Sequence, residues 1–167
     1  PGTVVWAYKY GGSGTDHGYD LALDAAASVY ATGSFNGSAS FGSLSLSSTS
    51  AADIFVMKTD ATGIPQWAKG AGGAGDDVGS KIAVNTATDI VIAGTSRSTS
   101  AFDNITVGNS GLQDIFAAKL SPSGQFRWAI SGGGAGADFG YGIAVNSSDV
   151  YTCGTYNSAG SFGSFNL

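Results

Sequence analysis

Charged side chains are scarce in this sequence. Asp, Glu, Lys and Arg make up 11% of its 167 residues, whereas about a quarter is usual for a soluble domain. The formal net charge is −5, which argues against binding to a phosphate backbone, because that binding needs clustered Lys and Arg. No run of about 18 apolar residues occurs either, so no segment is expected to span a membrane. We therefore expect neither nucleic acid among the partners nor insertion into a membrane.

Two residue types that are common in catalytic and metal sites occur once each, as His17 and Cys153. A nucleophile with its base, such as Ser/His/Asp or Cys/His, cannot be built convincingly from one histidine and one cysteine. Cys153 also excludes an internal disulfide framework, and its alignment with Thr32 and Ala93 in similar upstream segments predicts a small, buried strand residue. His17 is expected to be a partly packed loop residue. The sequence therefore predicts no catalytic residue and no enzyme activity.

Glycine is abundant, with 27 residues against 3 prolines, and hydrophobic residues make up 43% of the chain. A chain of this length and composition has enough apolar residues to bury a core. No window shows the 3.6-residue apolar period of an amphipathic helix. Short β-prone runs alternate instead with clusters of Gly, Asn, Asp and Ser, which form turns. These features predict an all-β fold.

The chain contains a repeat with a period of 61 residues. Trp6, Trp67 and Trp128, each followed by Ala, are separated by that distance. After each tryptophan come a glycine run with an aspartate, two apolar strands and a phenylalanine. The three glycine runs read GGSGTDHG from Gly11, GGAGDDVG from Gly72 and GGAGADFG from Gly133. Self-similarity at a fixed period is the signature of a repeat architecture.

Each unit is predicted to contain four strands and a longer connection. In the first complete unit the strands are expected near residues 19–24, 28–35, 53–59 and 64–71. Between the second and the third, Phe41, Leu44 and Leu46 alternate with serine, and this alternation predicts an extra hairpin or loop at the edge of the sheet.

Some of these strands are apolar on both faces, as in Ile82-Ala83-Val84, so both faces are expected to be buried. Four-stranded antiparallel sheets that are covered front and back are typical of β-propeller blades. The sequence therefore predicts propeller-type blades, about 2.7 of them in this chain. The predicted division is an outer strand of a preceding or shared blade at 1–10, blade 1 at 16–71, blade 2 at 77–132 and partial blade 3 at 138–167.

The predicted ring is incomplete, since a propeller needs about four blades or more. Its ends are expected to expose unpaired strand edges and apolar faces, which favour association. Two explanations remain open. Either the chain, which begins at Pro1 without Met, is processed, excised or part of a longer protein, or copies assemble into a ring or a filament.

The order of these submotifs resembles the SBBP repeat, a bacterial β-propeller repeat. The matching pattern is W-A…G-G-x-G-x-D-x-G…I-A-V-[DN]…V-Y-x-T-G…F-G…D-I-F-x-x-K, and it covers essentially the whole chain. The resemblance implies an extracellular or bacterial cell-surface location and a scaffold or interaction role rather than a reaction.

The glycine runs also match the calcium-binding nonapeptide G-G-x-G-x-D-x-U-x. The copies stand 61 residues apart, and glycine occupies the apolar position U, so successive turns of one chain are not expected to share ions. Two interpretations remain for the acidic residues of these runs: they accept hydrogen bonds from turn amides, or single residues hold an isolated calcium ion with loop carbonyls. The candidate metal ligands are Asp16, Asp76, Asp77 and Asp138. Asp53 and Asp114, which open the third strand, are expected to cap turns. No other cofactor is expected.

The aromatic residues fall into two groups. The strictly repeated Trp6, Trp67 and Trp128 favour packing in the core or between blades over a sugar-stacking series. The less regular candidates for a binding face are Tyr19, Phe139 and Tyr141.

The expected function is a non-enzymatic extracellular or cell-surface structural and interaction module, which self-associates or belongs to a longer surface protein or filament. The alternative is an adhesion propeller that binds carbohydrate or protein through its top-face loops. The expected partners are other copies of the chain, further blades, or glycans.

Overall fold

The computed structural model describes residues 2–166, in which all regular structure is strand and no helix is present. The all-β prediction is thus confirmed for this part of the chain. The strands are β1 (Gly11–Gly12), β2 (His17–Leu23), β3 (Val29–Phe41), β4 (Leu44–Thr59), β5 (Pro65–Gly73), β6 (Asp77–Val84), β7 (Ile90–Ser96), β8 (Ser100–Phe102), β9 (Ile105–Val107), β10 (Asp114–Leu120), β11 (Phe126–Gly134), β12 (Phe139–Val145), β13 (Val150–Thr155), β14 (Gly160–Phe162) and β15 (Phe165–Asn166). A helix long and apolar enough to cross a membrane is likewise not found among residues 2–166.

Within each complete unit, the four main strands pair antiparallel with their neighbours in the chain, the extra hairpin being set aside. We refer to the repeated segments 16–71, 77–132 and 138–167 as units 1, 2 and 3. Unit 1 forms the meander β2–β3–β4–β5, unit 2 forms β6–β7–β10–β11, and unit 3 contributes the two-stranded sheet β12–β13. The four strands predicted for unit 1 correspond to β2, β3, β4 and β5. The sheets do not close on one another within residues 2–166, and Pro1 and Leu167, the outer limits of the predicted blades, lie outside the described residues.

The predicted extra hairpin is present, and it links successive units. In unit 1 it is the continuation of β3 and β4 beyond the four-stranded sheet, and in unit 2 it is β8–β9. Each hairpin pairs with a glycine run that precedes its unit: Gly11–Gly12 pair with β3, and the end of β5 pairs with β8. The glycines permit this close approach, since a β-carbon on Gly73 would overlap the carbonyl oxygen of Thr99.

The main core lies between the sheets of units 1 and 2. Ile54 and Val56 of β4 share one buried cluster with Phe116 and Ala118 of β10. Because side chains alternate across a strand, β4 and β10 each bury their other face elsewhere. A second cluster, centred on Phe35, Phe41, Phe55 and Met57, lies on the opposite face of the unit 1 sheet. Apolar residues on both faces of one strand therefore reflect packing on both sides of the sheet.

Residues 2–10 lie along unit 1 without forming a strand. The Tyr10 ring stacks on Phe41 with its centroid 6.2 Å away, and its hydroxyl donates to the Gly63 carbonyl at 2.7 Å. That residues 1–10 form the outer strand of another blade stays a prediction, because the strand partners would belong to that blade.

Candidate functional site: the junctions between units

The repeated tryptophans connect one unit to the next. The Trp67 indole N–H donates to the carbonyl oxygen of Pro122 at 3.0 Å, and Trp6 donates to Ala61 at 3.1 Å. Both bonds span 55 residues and reach the turn between the last two strands of the following unit. Trp128 is half-buried on β11, and no equivalent indole bond is found for it among residues 2–166.

A glycine in each of these turns makes room for the indole ring. Gly63 and Gly124 have φ angles of +84° and +82°, a region that glycine occupies without steric cost. A β-carbon would come within 2.7 Å of the Trp6 ring at Gly63 and within 2.8 Å of the Trp67 ring at Gly124. The same glycine therefore satisfies both the turn geometry and the contact between units.

The aspartates of the glycine runs bind backbone amides. Asp16, Asp77 and Asp138 accept hydrogen bonds from the glycine four residues earlier at 2.7, 2.7 and 2.9 Å. Their second carboxylate oxygens accept from a backbone amide where the second strand of the unit leads into its hairpin, as in the bond from Asn157 to Asp138 at 2.6 Å. These bonds hold the glycine run against the following unit, the role that the turn-amide interpretation assigns to them.

The remaining metal candidate, Asp76, lies at the surface. Its carboxylate accepts from the Ala52 amide at 3.3 Å and forms an ion pair with Arg97 at 3.6 Å. Among residues 2–166, no group of three His, Cys, Asp or Glu side chains is arranged to hold a metal ion.

A second aspartate lies at each junction, and sequence reasoning assigned it only a turn-capping role. Asp53 does accept from the Thr49 amide at 2.9 Å, and Asp114 accepts from the Ser110 amide at 2.7 Å. The other oxygen of each, Oδ1, is buried without a hydrogen-bond partner. Buried polar atoms are nearly always paired in proteins, so this recurring exception needs a physical reason.

The reason is that each of these oxygens has a second carboxylate as its neighbour, an acceptor that offers no donor. A β-carbon on Gly72 would overlap Asp53 Oδ1 and lie 3.0 Å from Asp77 Oδ2, so the two acids face each other across a glycine. Burial raises the pKa of Asp53 above its ordinary value, and the charge of Asp77 acts in the same direction. Asp114 and Asp138 repeat the arrangement around Gly133, and burial likewise raises the pKa of Asp114. The spacing of 24 residues between the two acids, present in both copies, is the signal that sequence analysis missed.

The predicted binding-face residues form two separate aromatic pairs. Tyr19 lies near His17, with ring centroids 5.7 Å apart, and Phe139 stacks on Tyr141 at 6.1 Å with parallel planes. His17 is thus an exposed strand residue rather than a packed loop residue. Tyr19 and Tyr141 are about half exposed. Each is the extra residue of a β-bulge, a feature that re-aims a side chain.

The first pair lines a cleft. A cleft of about 390 Å³ lies between units 1 and 2, which is within the range of small-molecule sites. It is lined by Thr15, His17, Tyr19, Ser34, Asn36, Ala52, Asp76, Val78, Thr95, Arg97 and Gln113. The cleft therefore combines one aromatic pair with an ion pair and several hydrogen-bonding side chains, while Phe139 and Tyr141 lie outside it.

No family model matches this chain, and no curated protein sequence matches it. The repeated junction, with its tryptophan, glycine and paired aspartates, and the cleft beside His17 and Tyr19 are the features from which a function can be inferred.

Proposed function

We propose that this chain is a non-enzymatic structural and interaction module of an extracellular or cell-surface protein. Its units act as propeller-type blades that stack on further units of a longer chain or on other copies. The observation that carries the proposal is the recurrence of one junction. The contacts of Asp53, Gly72 and Asp77 between units 1 and 2 return, 61 residues later, between units 2 and 3.

The use of polar side chains supports a structural role. The aspartates of the glycine runs bind amides that hold adjacent units together. The two lysines at the end of the third strand form ion pairs within their own sheets, Lys58 with Asp24 at 3.8 Å and Lys119 with Asp89 at 2.9 Å.

The arrangement of the first strands supports the propeller-type interpretation. Blades converge on their first strands around a central channel. The Asp20 carboxylate of β2 accepts a hydrogen bond from the Ile82 amide of β6 at 3.1 Å, so the first strands of units 1 and 2 lie side by side. The resemblance to SBBP repeats agrees with this interpretation and supplies the argument for the cell surface.

Labelling of cells tests the proposed location. An antibody raised against the chain is expected to label intact cells of the source organism, and external protease is expected to remove that label. An antibody to a cytosolic protein of the same cells serves as the control and should label only permeabilised cells. Labelling of the chain only after permeabilisation would contradict the proposal.

Adhesion is a second candidate function, favoured by the cleft between units 1 and 2. Aromatic faces together with polar side chains are the groups that small polar ligands such as sugars require. We expect the chain to be retained on a subset of glycans in an array. Tyr19→Ala should abolish retention, whereas Tyr141→Ala, outside the cleft, should not. If no glycan retains the wild-type chain, the carbohydrate version of this function is excluded.

A further inference from the structure

One outward face of unit 1 exposes residues whose equivalents in unit 2 are buried. On β2, Leu21 and Leu23 are 62% and 59% exposed. The equivalent residue of Leu21 in unit 2 is Ile82, which is 5% exposed because it packs on the unit 1 sheet. Leu21 pairs across the sheet with Ala31, so both lie on the same side. We call the surface formed by Leu21, Leu23 and Ala31 the N-face.

At the opposite end of the chain, the outward face of unit 3 exposes residues whose equivalents in unit 1 are buried against unit 2. Tyr151 on β13 is 59% exposed, whereas the equivalent Tyr30 of unit 1 is fully buried in the cluster shared with unit 2. Cys153 is also exposed, whereas the equivalent Thr32 is buried. Ala144 lies opposite Tyr151 and is exposed too. We call the surface formed by Ala144, Tyr151 and Cys153 the C-face.

The internal junction shows how these two faces fit. Between units 1 and 2, the face that carries Tyr30 packs against the face that carries Ile82 in a single buried cluster. The C-face is equivalent to the unit 1 face that carries Tyr30, and the N-face is equivalent to the unit 2 face that carries Ile82. The two ends of the chain are therefore complementary to each other.

We propose that a second copy of this chain docks head to tail, with its C-face on the N-face of the first. This inference rests on the proposed function, since it names the partner of the same stacking surface. A shallow depression of about 410 Å³ around Tyr19, Leu21 and Ala31 provides the receiving surface. Because the contact is heterologous, its repetition closes into a ring or extends into a filament.

The N-terminal segment is already placed for this contact. Trp6 bonds to Ala61 as Trp67 bonds to Pro122, so residues 2–10 occupy the position of the last strand of a preceding unit. In the docked pair, β12 and β13 of the second copy take the positions of the first two strands of that unit. The third strand of that unit, which separates the second from the fourth in unit 1, is supplied by neither copy within the described residues, so the docked contact consists of the two faces and not of strand pairing.

Sedimentation velocity over a wide concentration range tests the contact. The wild-type mass is expected to rise with concentration, while Leu21→Asp on the N-face and Tyr151→Asp on the C-face should each weaken association at least tenfold. Leu112→Asp is the matched control, because Leu112 is 71% exposed and lies on neither face. An equimolar mixture of Leu21→Asp and Tyr151→Asp should form dimers and nothing larger, since each variant retains one intact face. Circular dichroism checks folding, and Leu23→Asp and Ala144→Asp replace any variant that fails it.

The single cysteine gives an independent measurement. Cys153 lies on the C-face, so its labelling by a maleimide should slow as the wild-type concentration rises. The rate should not depend on concentration in Leu21→Asp, which presents no receiving face.

A wild-type chain that stays monomeric, face variants that assemble like the wild type, or an assembly abolished by Leu112→Asp would each overturn the head-to-tail contact. A monomer would leave the scaffold function standing, since cell labelling tests that separately.

Discussion

The indole N–H of Trp67 donates to the carbonyl oxygen of Pro122 at 3.0 Å, across the junction between units 1 and 2. This bond joins residues 55 positions apart. The repeated tryptophan therefore connects neighbouring units and does not act within one unit. A tryptophan with a polar N–H suits this place, because its ring buries apolar area while the N–H needs a partner.

Replacing Trp67 with Phe is expected to lower the free energy of unfolding by about 0.5–1.5 kcal/mol, the usual net contribution of one hydrogen bond. Urea denaturation followed by circular dichroism measures the change. Trp128→Phe is the matched control, since no indole bond is found for Trp128 in the described chain, and its loss should be smaller. Equal losses for the two variants would show that ring size, not the hydrogen bond, matters at this position.

The glycine beneath that ring gives a second prediction. Gly124→Ala forces a side chain into a left-handed backbone conformation and brings a β-carbon within 2.8 Å of the Trp67 ring. Gly37→Ala is the control, because Gly37 has a similar φ of +74° but nothing within 4 Å of its β-carbon position. We expect Gly37→Ala to cost about 1–2 kcal/mol from backbone strain alone and Gly124→Ala to cost clearly more. Thermal and urea unfolding of both variants give the comparison, and equal costs would contradict the ring contact.

The sequence indicated most of the fold because its signals are local. Strand composition, glycine-rich turns and the 61-residue period predicted β2 to β5 and the extra hairpin, and all of these are present. The prediction that Cys153 is buried was wrong, since the residue is exposed. Its equivalent, Thr32, is buried by the next unit, and no part of the described chain covers Cys153. Burial in a repeat protein depends on a neighbour, which the local sequence does not specify.

The paired aspartates were missed for a related reason. The turn-capping interpretation of Asp53 considered only its neighbours in sequence, and those bonds to Thr49 exist. Its unpaired oxygen, however, faces Asp77 from the next unit across Gly72. The pair arises only when two units stack, so a single unit gives no indication of it.

This pair predicts that Asp53→Asn stabilises the chain near neutral pH. The amide keeps an oxygen for the Thr49 donors and places an N–H group toward Asp77, in the position of the unpaired oxygen. Removing an unsatisfied buried charge should raise the free energy of unfolding by about 1–3 kcal/mol at pH 7. Asp53→Ala should destabilise instead, because it also removes the acceptor for Thr49.

The pH dependence of stability provides a further check on this pair. The pKa of Asp53 is raised by burial, so the folded state binds more protons than the unfolded state between the two pKa values. Stability from this group is therefore gained as pH falls through that window and lost as pH rises through it. Asp53→Asn should flatten this part of the profile. Asp60 is a control of opposite sign, since hydrogen bonds led by the Thr62 hydroxyl lower its pKa. A profile unchanged by Asp53→Asn would contradict the role of the pair.

The ion pair between Lys119 and Asp89 gives the last prediction. Their atoms lie 2.9 Å apart and both side chains are about three-quarters buried, whereas Lys58 lies 3.8 Å from Asp24. The hydrogen bond from Lys119 is the largest cause of the lowered pKa of Asp89. The stability that Asp89 contributes is therefore present above its pKa in the unfolded state, and it is lost as pH falls through its pKa in the folded state. Lys119→Met should cost about 1 kcal/mol or less and should make unfolding less sensitive to acid, as titrations of urea midpoints from pH 7 to pH 3 would show. Because part of this attraction is screened by salt, the cost should shrink in 1 M NaCl. A cost that salt and acid leave unchanged would mean that the aliphatic part of Lys119, and not its charge, stabilises β10.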